Sequence, residues 1–131
     1  MRKQFQLPEG DEECLVDSRR PWEAVAAGKV QWLILPGYKI PDGYNVATAT
    51  AALKIPPKYP DEQIDMVYFA PPLSLNNGRT VNNLSLTQID GRDFQQWSRH
   101  RTGENPWRPG VDCICTHLLQ VDTWLARELN K

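Results

Sequence analysis

Eleven prolines in 131 residues cut this chain into short pieces. A proline fixes φ and removes a backbone donor, so it ends paired strands and helices rather than continuing them. Pro41-Asp42-Gly43, Pro56-Pro57, Pro71-Pro72 and Asn105-Pro106-Trp107-Arg108-Pro109-Gly110 divide the chain into turns and apolar runs. The runs between them have the length and composition of strands. Lys29 to Ile40, with Val30, Trp32, Leu33, Ile34 and Leu35, is the first. Tyr44 to Ile55 is the second, and its end alternates apolar and polar at Leu53-Lys54-Ile55. Ile64 to Phe69 is the third. These three predict an antiparallel meander.

Past Pro109 the pattern changes. Ile114, Leu118, Val121 and Leu125 recur at helical spacing, joined by Cys115, Leu119 and Leu129, with Asp112 placed to be the N-cap. This is the strongest helix signal in the chain. Pro21 to Ala27 predicts a short helix with proline in its first turn and Gly28 as its stop. Asp90 to Arg101, with Phe94 and Trp97 three apart, predicts a short helix or turn lying on the sheet. Strands first and helix last give an α+β class with the helix on one face of the sheet. Length fits one domain, residues 1–131, with 1–28 as an N-terminal extension.

Composition excludes several classes. Lys and Arg number 15 against 16 Asp and Glu, so no basic footprint for nucleic acid exists. No apolar run approaches the roughly 20 residues of a membrane span. Met1-Arg2-Lys3-Gln4-Phe5-Gln6 has no apolar core and does not read as a signal peptide. A cytoplasmic protein is expected, with Cys14, Cys113 and Cys115 as reduced thiols rather than a disulfide frame.

The order of these elements resembles the ubiquitin-conjugating enzymes. Leu53-Lys54-Ile55-Pro56-Pro57-Lys58-Tyr59-Pro60 is similar to the family's strand running into its Tyr-Pro turn. Ile64 to Pro71 resembles the next strand, and Asn105 to Pro109 the Trp-x-Pro element ahead of a helix. Thr123-Trp124-Leu125-Ala126-Arg127-Glu128 looks most like the ubiquitin-fold-modifier branch. Over roughly residues 30–130 the whole resembles the bacterial group called prokaryotic conjugating-enzyme family E. The resemblance implies a transferase. It would accept the C-terminus of a ubiquitin-like protein from a ThiF-like activating enzyme and pass it to a target. It implies no metal or organic cofactor, the ATP being used by the activating enzyme.

Two departures mark the site. The His-Pro-Asn tripeptide of most relatives is absent, Asn82-Asn83 being the nearest amide pair. The family's cysteine is absent too: counting eight or nine residues back from Trp107 lands on Ser98 or Arg99. Ser98 is therefore the candidate acyl acceptor, and a serine hydroxyl needs a base. His100 is the nearby side chain suited to that role. Arg99 and Arg101 are candidates to hold an oxyanion or the incoming tail, and Trp97 to wall the site. An oxyester intermediate is expected. The blander alternatives are an ordinary surface serine, a solvated histidine, and an Arg99-His100-Arg101 patch that docks an acidic surface.

Cys113-Ile114-Cys115-Thr116-His117 is a weak zinc signal with no obvious fourth ligand. Cys113 at a helix N-terminus is a competing nucleophile, although it follows the Trp-x-Pro element. Two further readings stay open: a catalytically inactive conjugating-fold module that only binds, and an unrelated small α+β binding protein.

Overall fold

A computed structural model describes residues 1–131. The elements are α1 (Glu9–Asp17), β1 (Glu23–Ala27), β2 (Val30–Lys39), β3 (Thr48–Ile55), β4 (Val67–Ala70), β5 (Leu84–Ile89), β6 (Arg92–Trp97) and α2 (Ile114–Leu129). All strands join one antiparallel sheet in the order β1-β2-β3-β4-β6-β5. The meander and the closing helix agree with the α+β class read from the sequence.

Two local expectations are corrected. Pro21–Ala27 is not a helix: Glu23–Ala27 is strand β1, paired with β2 from Glu23↔Ile34 to Ala27↔Val30. Gly28 does not stop a helix but turns this hairpin, at φ 63°, a conformation glycine adopts at little cost. The alanine-rich run has helical propensity, but pairing with the apolar β2 overrides it. Residues 90–101 likewise form no helix: the turn is there, confined to Asp90-Gly91, and the rest is a hairpin arm. Asp90 (φ 53°) and Gly91 (φ 73°) make a two-residue turn, and β6 follows. Phe94 and Trp97 then fall on opposite faces, as residues three apart on a strand must. Helix α1, weakly amphipathic with only Asp11 and Leu15 buried, and strand β5 carry little sequence signal.

Helix α2 covers one face of the sheet. Ile114, Leu118, Val121, Trp124 and Leu125 pack into a core of 25 buried residues with Leu33, Leu53, Phe69 and Trp97. Tyrosine hydroxyls tie sheet to helix: Tyr38 donates to Asp122 (2.5 Å) and Tyr44 to the Leu125 carbonyl (2.8 Å). Burial pushes both phenols up, helped by the Asp122 carboxylate at Tyr38 and by the Glu128 charge at Tyr44, which reaches about 12.

The opposite face curls around a second, smaller core of Trp32, Ile34, Tyr68, Ile89, Phe94 and their neighbours. Residues 2–4 close the curl. Lys3 pairs with Ala24 beside β1, and Arg2 reaches Glu23 (3.2 Å) and Asp90 (2.6 Å) at once. Glu23 lies on the first edge strand and Asp90 in the turn of the last hairpin. The two ends of the sheet are thereby drawn together.

Cys14 and Cys115 are disulfide-bonded, with Cα atoms 6.6 Å apart, which corrects the reading of three free thiols; Cys113 alone is free. The pairing joins α1 to α2, and without α1 in view nothing in the sequence brings the two cysteines together.

Candidate active site

The chain leaving β6 keeps its extended alternation as far as Arg101. Trp97, Arg99 and Arg101 point to the α2 side, while Ser98 and His100 point the other way. The indole of Trp97 is fully buried against Tyr44 and Phe69, and its Nε1 donates to Gln95 Oε1 (2.8 Å). Arg99 lies over Trp97 (5.0 Å to the ring centre) and pairs with the buried Glu128 of α2 (3.2 Å). Burial works against the Glu128 charge, but Lys131 and Arg99 more than offset it and hold its pKa below the usual carboxylate value. The Arg101 side chain, 4% exposed, stacks on Trp107 and faces Asp112. The structure thus places Trp97, Arg99 and Arg101 as anchors of the segment, and it does not bring them to the Ser98 side.

Backbone bonds fix the segment on both flanks. Ser98 N–H donates to the Asn83 carbonyl (3.1 Å), and Met66 N–H donates to the Arg99 carbonyl (3.1 Å). Ser98 is half-buried, and its Oγ accepts a long bond from Gln96 Nε2 (3.4 Å). Gln96 is part of a polar group with Thr87 and Met66 at the rim of the smaller core.

His100 is 61% exposed, and its Nδ1 lies 2.7 Å from Asp65 Oδ2. In the neutral tautomer that donates Nδ1–H to that carboxylate, Nε2 is an acceptor. Asp65 was not singled out in the sequence, where 35 residues separate it from His100. Its place depends on Met66, which follows it at φ 59° and whose carbonyl accepts His117 Nε2–H (2.9 Å). Beside Asp65 opens a cleft of about 350 Å³, lined by Lys54, Pro56, Glu62 and Met66 among others.

Ser98 and His100 share one side of the segment without a direct hydrogen bond. Two residues along an extended strand separate Cα atoms by about 7 Å.

The frame around this segment joins the two landmarks of the sequence. Tyr59 and Trp107 stack at 6.0 Å, and Trp107 Nε1 donates to the Pro60 carbonyl (2.9 Å). Tyr59 also donates to Asp11 of α1 (2.7 Å), whose other oxygen accepts the first amide of α2, at Ile114 (3.0 Å). Asp112, expected as the N-cap, instead accepts Arg108 N–H (2.7 Å). The cap is Cys113, reciprocally bonded with Thr116. Cys113 therefore has a structural partner, Cys115 is bonded to Cys14, and His117 is buried in the core.

A family model described as Prokaryotic E2 family E matches residues 7–128. The chain belongs to this family. No curated protein matches the chain. No solved structure matches it. Membership in the prokaryotic E2 family E makes it a conjugating-enzyme-like transferase, and implies a ubiquitin-like protein and an activating enzyme as its general partners. No helix is long and apolar enough to cross a membrane. What the family does not supply is the acceptor atom, since residues 98–107 contain no cysteine.

Proposed function

We propose that this chain accepts the C-terminal acyl group of a ubiquitin-like protein from a ThiF-like activating enzyme as an oxyester on Ser98, then transfers it to a target. The observation that carries this is the Asp65–His100 pair, set on the same side of the same segment as Ser98, ahead of Trp107. Asp65 holds the imidazole with Nε2 outward, and Nε2 takes the Ser98 hydroxyl proton as Oγ attacks the carbonyl. The new C–O bond forms as the C–S bond to the activating enzyme breaks, and the proton on Nε2 passes to the departing sulfur, leaving the imidazole free to take the target's proton in the second half. In the second half the target's amine or hydroxyl attacks the oxyester, and Ser98 Oγ recovers its proton. Trp97, Arg99 and Arg101 act from behind by fixing the backbone that presents both groups.

Reconstitution with the activating enzyme, the ubiquitin-like protein and ATP tests this by mass spectrometry. The adduct is expected on wild type, to survive thiol reductant, to be cleaved by mild base, and to vanish in Ser98→Ala. A thiol-sensitive adduct that persists in Ser98→Ala would move the acceptor to Cys113.

Asp65→Asn should leave the fold intact, since that side chain is 30% exposed. It should slow adduct formation about 100-fold, the lower end of what a well-placed general base contributes. Single-turnover rates measure it, and an unchanged rate would remove the Asp65–His100 pair from the chemistry.

A second reading is favoured by the lack of a direct Ser98–His100 bond. In it the chain is an inactive module that binds the ubiquitin-like protein or the activating enzyme, and no adduct forms on either protein.

A further inference from the structure

The sheet treats its two edges differently. Beside β1, residues 2–4 occupy the edge: Gln4 N–H donates to the Ala24 carbonyl (2.8 Å) and Ala24 N–H to the Arg2 carbonyl (2.9 Å). Beside β5 nothing is paired.

The register shows which groups are left over. In a two-residue hairpin the residues flanking the turn, here Ile89 and Arg92, exchange both hydrogen bonds, and bonded and non-bonded pairs then alternate. The bond from Ser98 N–H to Asn83 O falls on the same parity. Ser85, Thr87 and Ile89 therefore bond inward to β6, and Leu84, Leu86 and Gln88 turn their N–H and C=O groups outward. Outside the β5–β6 ladder no backbone bond reaches them.

Proteins ordinarily protect such an edge with lysine, proline, a bulge or a covering loop. The β5 sequence, Leu-Ser-Leu-Thr-Gln-Ile, has no charge and no proline, and Leu86 is 69% exposed. A neutral, strand-forming edge is a template for another strand.

Resting on the proposed transfer reaction, we infer that the extended C-terminal tail of the ubiquitin-like protein docks as an added antiparallel strand on β5. Position selects this occupant. The Leu84 end of β5 abuts the candidate acceptor, because Leu84 faces Trp97 and Asn83 bonds Ser98. A tail running antiparallel to β5 comes off the sheet at that end. Neighbouring strands lie about 4.8 Å apart, so the added strand would be about 10 Å from the line of β6. The last three tail residues, at about 3.3 Å each, cover that distance. Main-chain pairing supplies affinity for any extended tail, and contact with Leu86 adds preference for an apolar side chain facing it.

The test is amide hydrogen exchange, read by NMR on the full chain, with and without the ubiquitin-like protein's tail as a synthetic peptide. Protection of Leu84, Leu86 and Gln88 on addition of the peptide is expected. Leu86→Pro removes one outward donor and should raise the peptide Kd about tenfold while the β5–β6 amides keep their protection. Peptide binding that leaves the three β5 amides unprotected would overturn the docking inference and leave the transfer reaction standing. Failure of both peptide and intact ubiquitin-like protein to bind, with no adduct on reconstitution, would overturn the transfer reaction and this inference with it. Protection that grows with protein concentration in the absence of peptide would assign the edge to a second copy of the chain instead.

Discussion

Trp97→Ala is expected to destabilise the fold by about 3–5 kcal/mol, the usual loss on truncating a buried tryptophan. Trp97 is fully buried where strand β6 meets the helix-side core, within 6.3 Å of Tyr44 and 5.8 Å of Phe69 by ring centre. Removing the indole leaves a cavity bounded by the sheet, whose strands cannot close on it. It also removes the surface on which the Arg99 guanidinium rests. For a chain of this size the loss corresponds to a fall in Tm of about 10 °C or more. Trp97→Phe keeps most of the volume and gives up the Nε1–H bond to Gln95 (2.8 Å), so about 1–2 kcal/mol is expected there. Urea titration of the three proteins measures both. A Trp97→Ala variant within 1 kcal/mol of wild type would show that the segment carrying Ser98 is anchored elsewhere. Because Trp97 immediately precedes Ser98, the same variant should lose adduct formation in proportion to its loss of folded protein.

Stability should also fall as pH drops from about 6.5 to about 4, and His117 should account for much of the fall. Burial pushes this histidine down to about 4; the Met66 carbonyl bond opposes that shift, and nearby Arg101 adds to it. Asp65 and Asp112 lie near enough to favour the proton, without reversing the outcome. Nδ1 has no hydrogen-bond partner, so the folded chain holds the neutral ring with its proton on Nε2. Above pH 6.5 folded and unfolded chains both carry neutral His117, and its contribution does not vary. Between the two pKa values the unfolded chain binds a proton that the folded chain refuses. Stability therefore declines as acid is added, by up to about 3 kcal/mol from this group. His117→Gln retains an N–H for the Met66 carbonyl and does not titrate, so its stability should change less over the same range. Denaturant titrations of both proteins at pH 7 and pH 4.5 decide the matter; parallel losses would acquit His117.

Much of the fold is legible because it depends on local pattern. Ile114, Leu118, Val121 and Leu125 could form only one kind of apolar stripe, and the proline pairs bounded strands β3 and β4 by chemistry alone. The errors arose where a local preference was overruled at a distance. Ala24, Ala26 and Ala27 favour a helix until β2 lies beside them. Phe94 and Trp97 look like neighbours on a helix face until β4 and β5 flank β6 and each ring finds its own core. Helix α1 needed Tyr59 and Ile114 to explain why an aspartate, Asp11, is buried. The candidate site divides in the same way. Ser98 stands out by its spacing to Trp107 and His100 by its nearness to Ser98 in the sequence, whereas Asp65 enters through a turn 35 residues upstream. The inward course of Arg99 and Arg101 follows from carboxylates on or beside α2, which no local pattern announces.

The alternation from Trp97 to Arg101 also limits how this stretch can change in length. One residue removed here reverses every side chain beyond it: groups bound to Glu128 and Trp107 would swing to solvent, and those facing outward would be pressed into the core. A residue lost from the exposed turn at Thr102–Asn105 disturbs no such parity. Lengthening or shortening can thus be absorbed after Arg101, or in steps of two before it. The same even-numbered rule that keeps the indole on the helix side keeps the Ser98 hydroxyl and the imidazole on the other, so their placement is tied to the fold by counting rather than by any single contact.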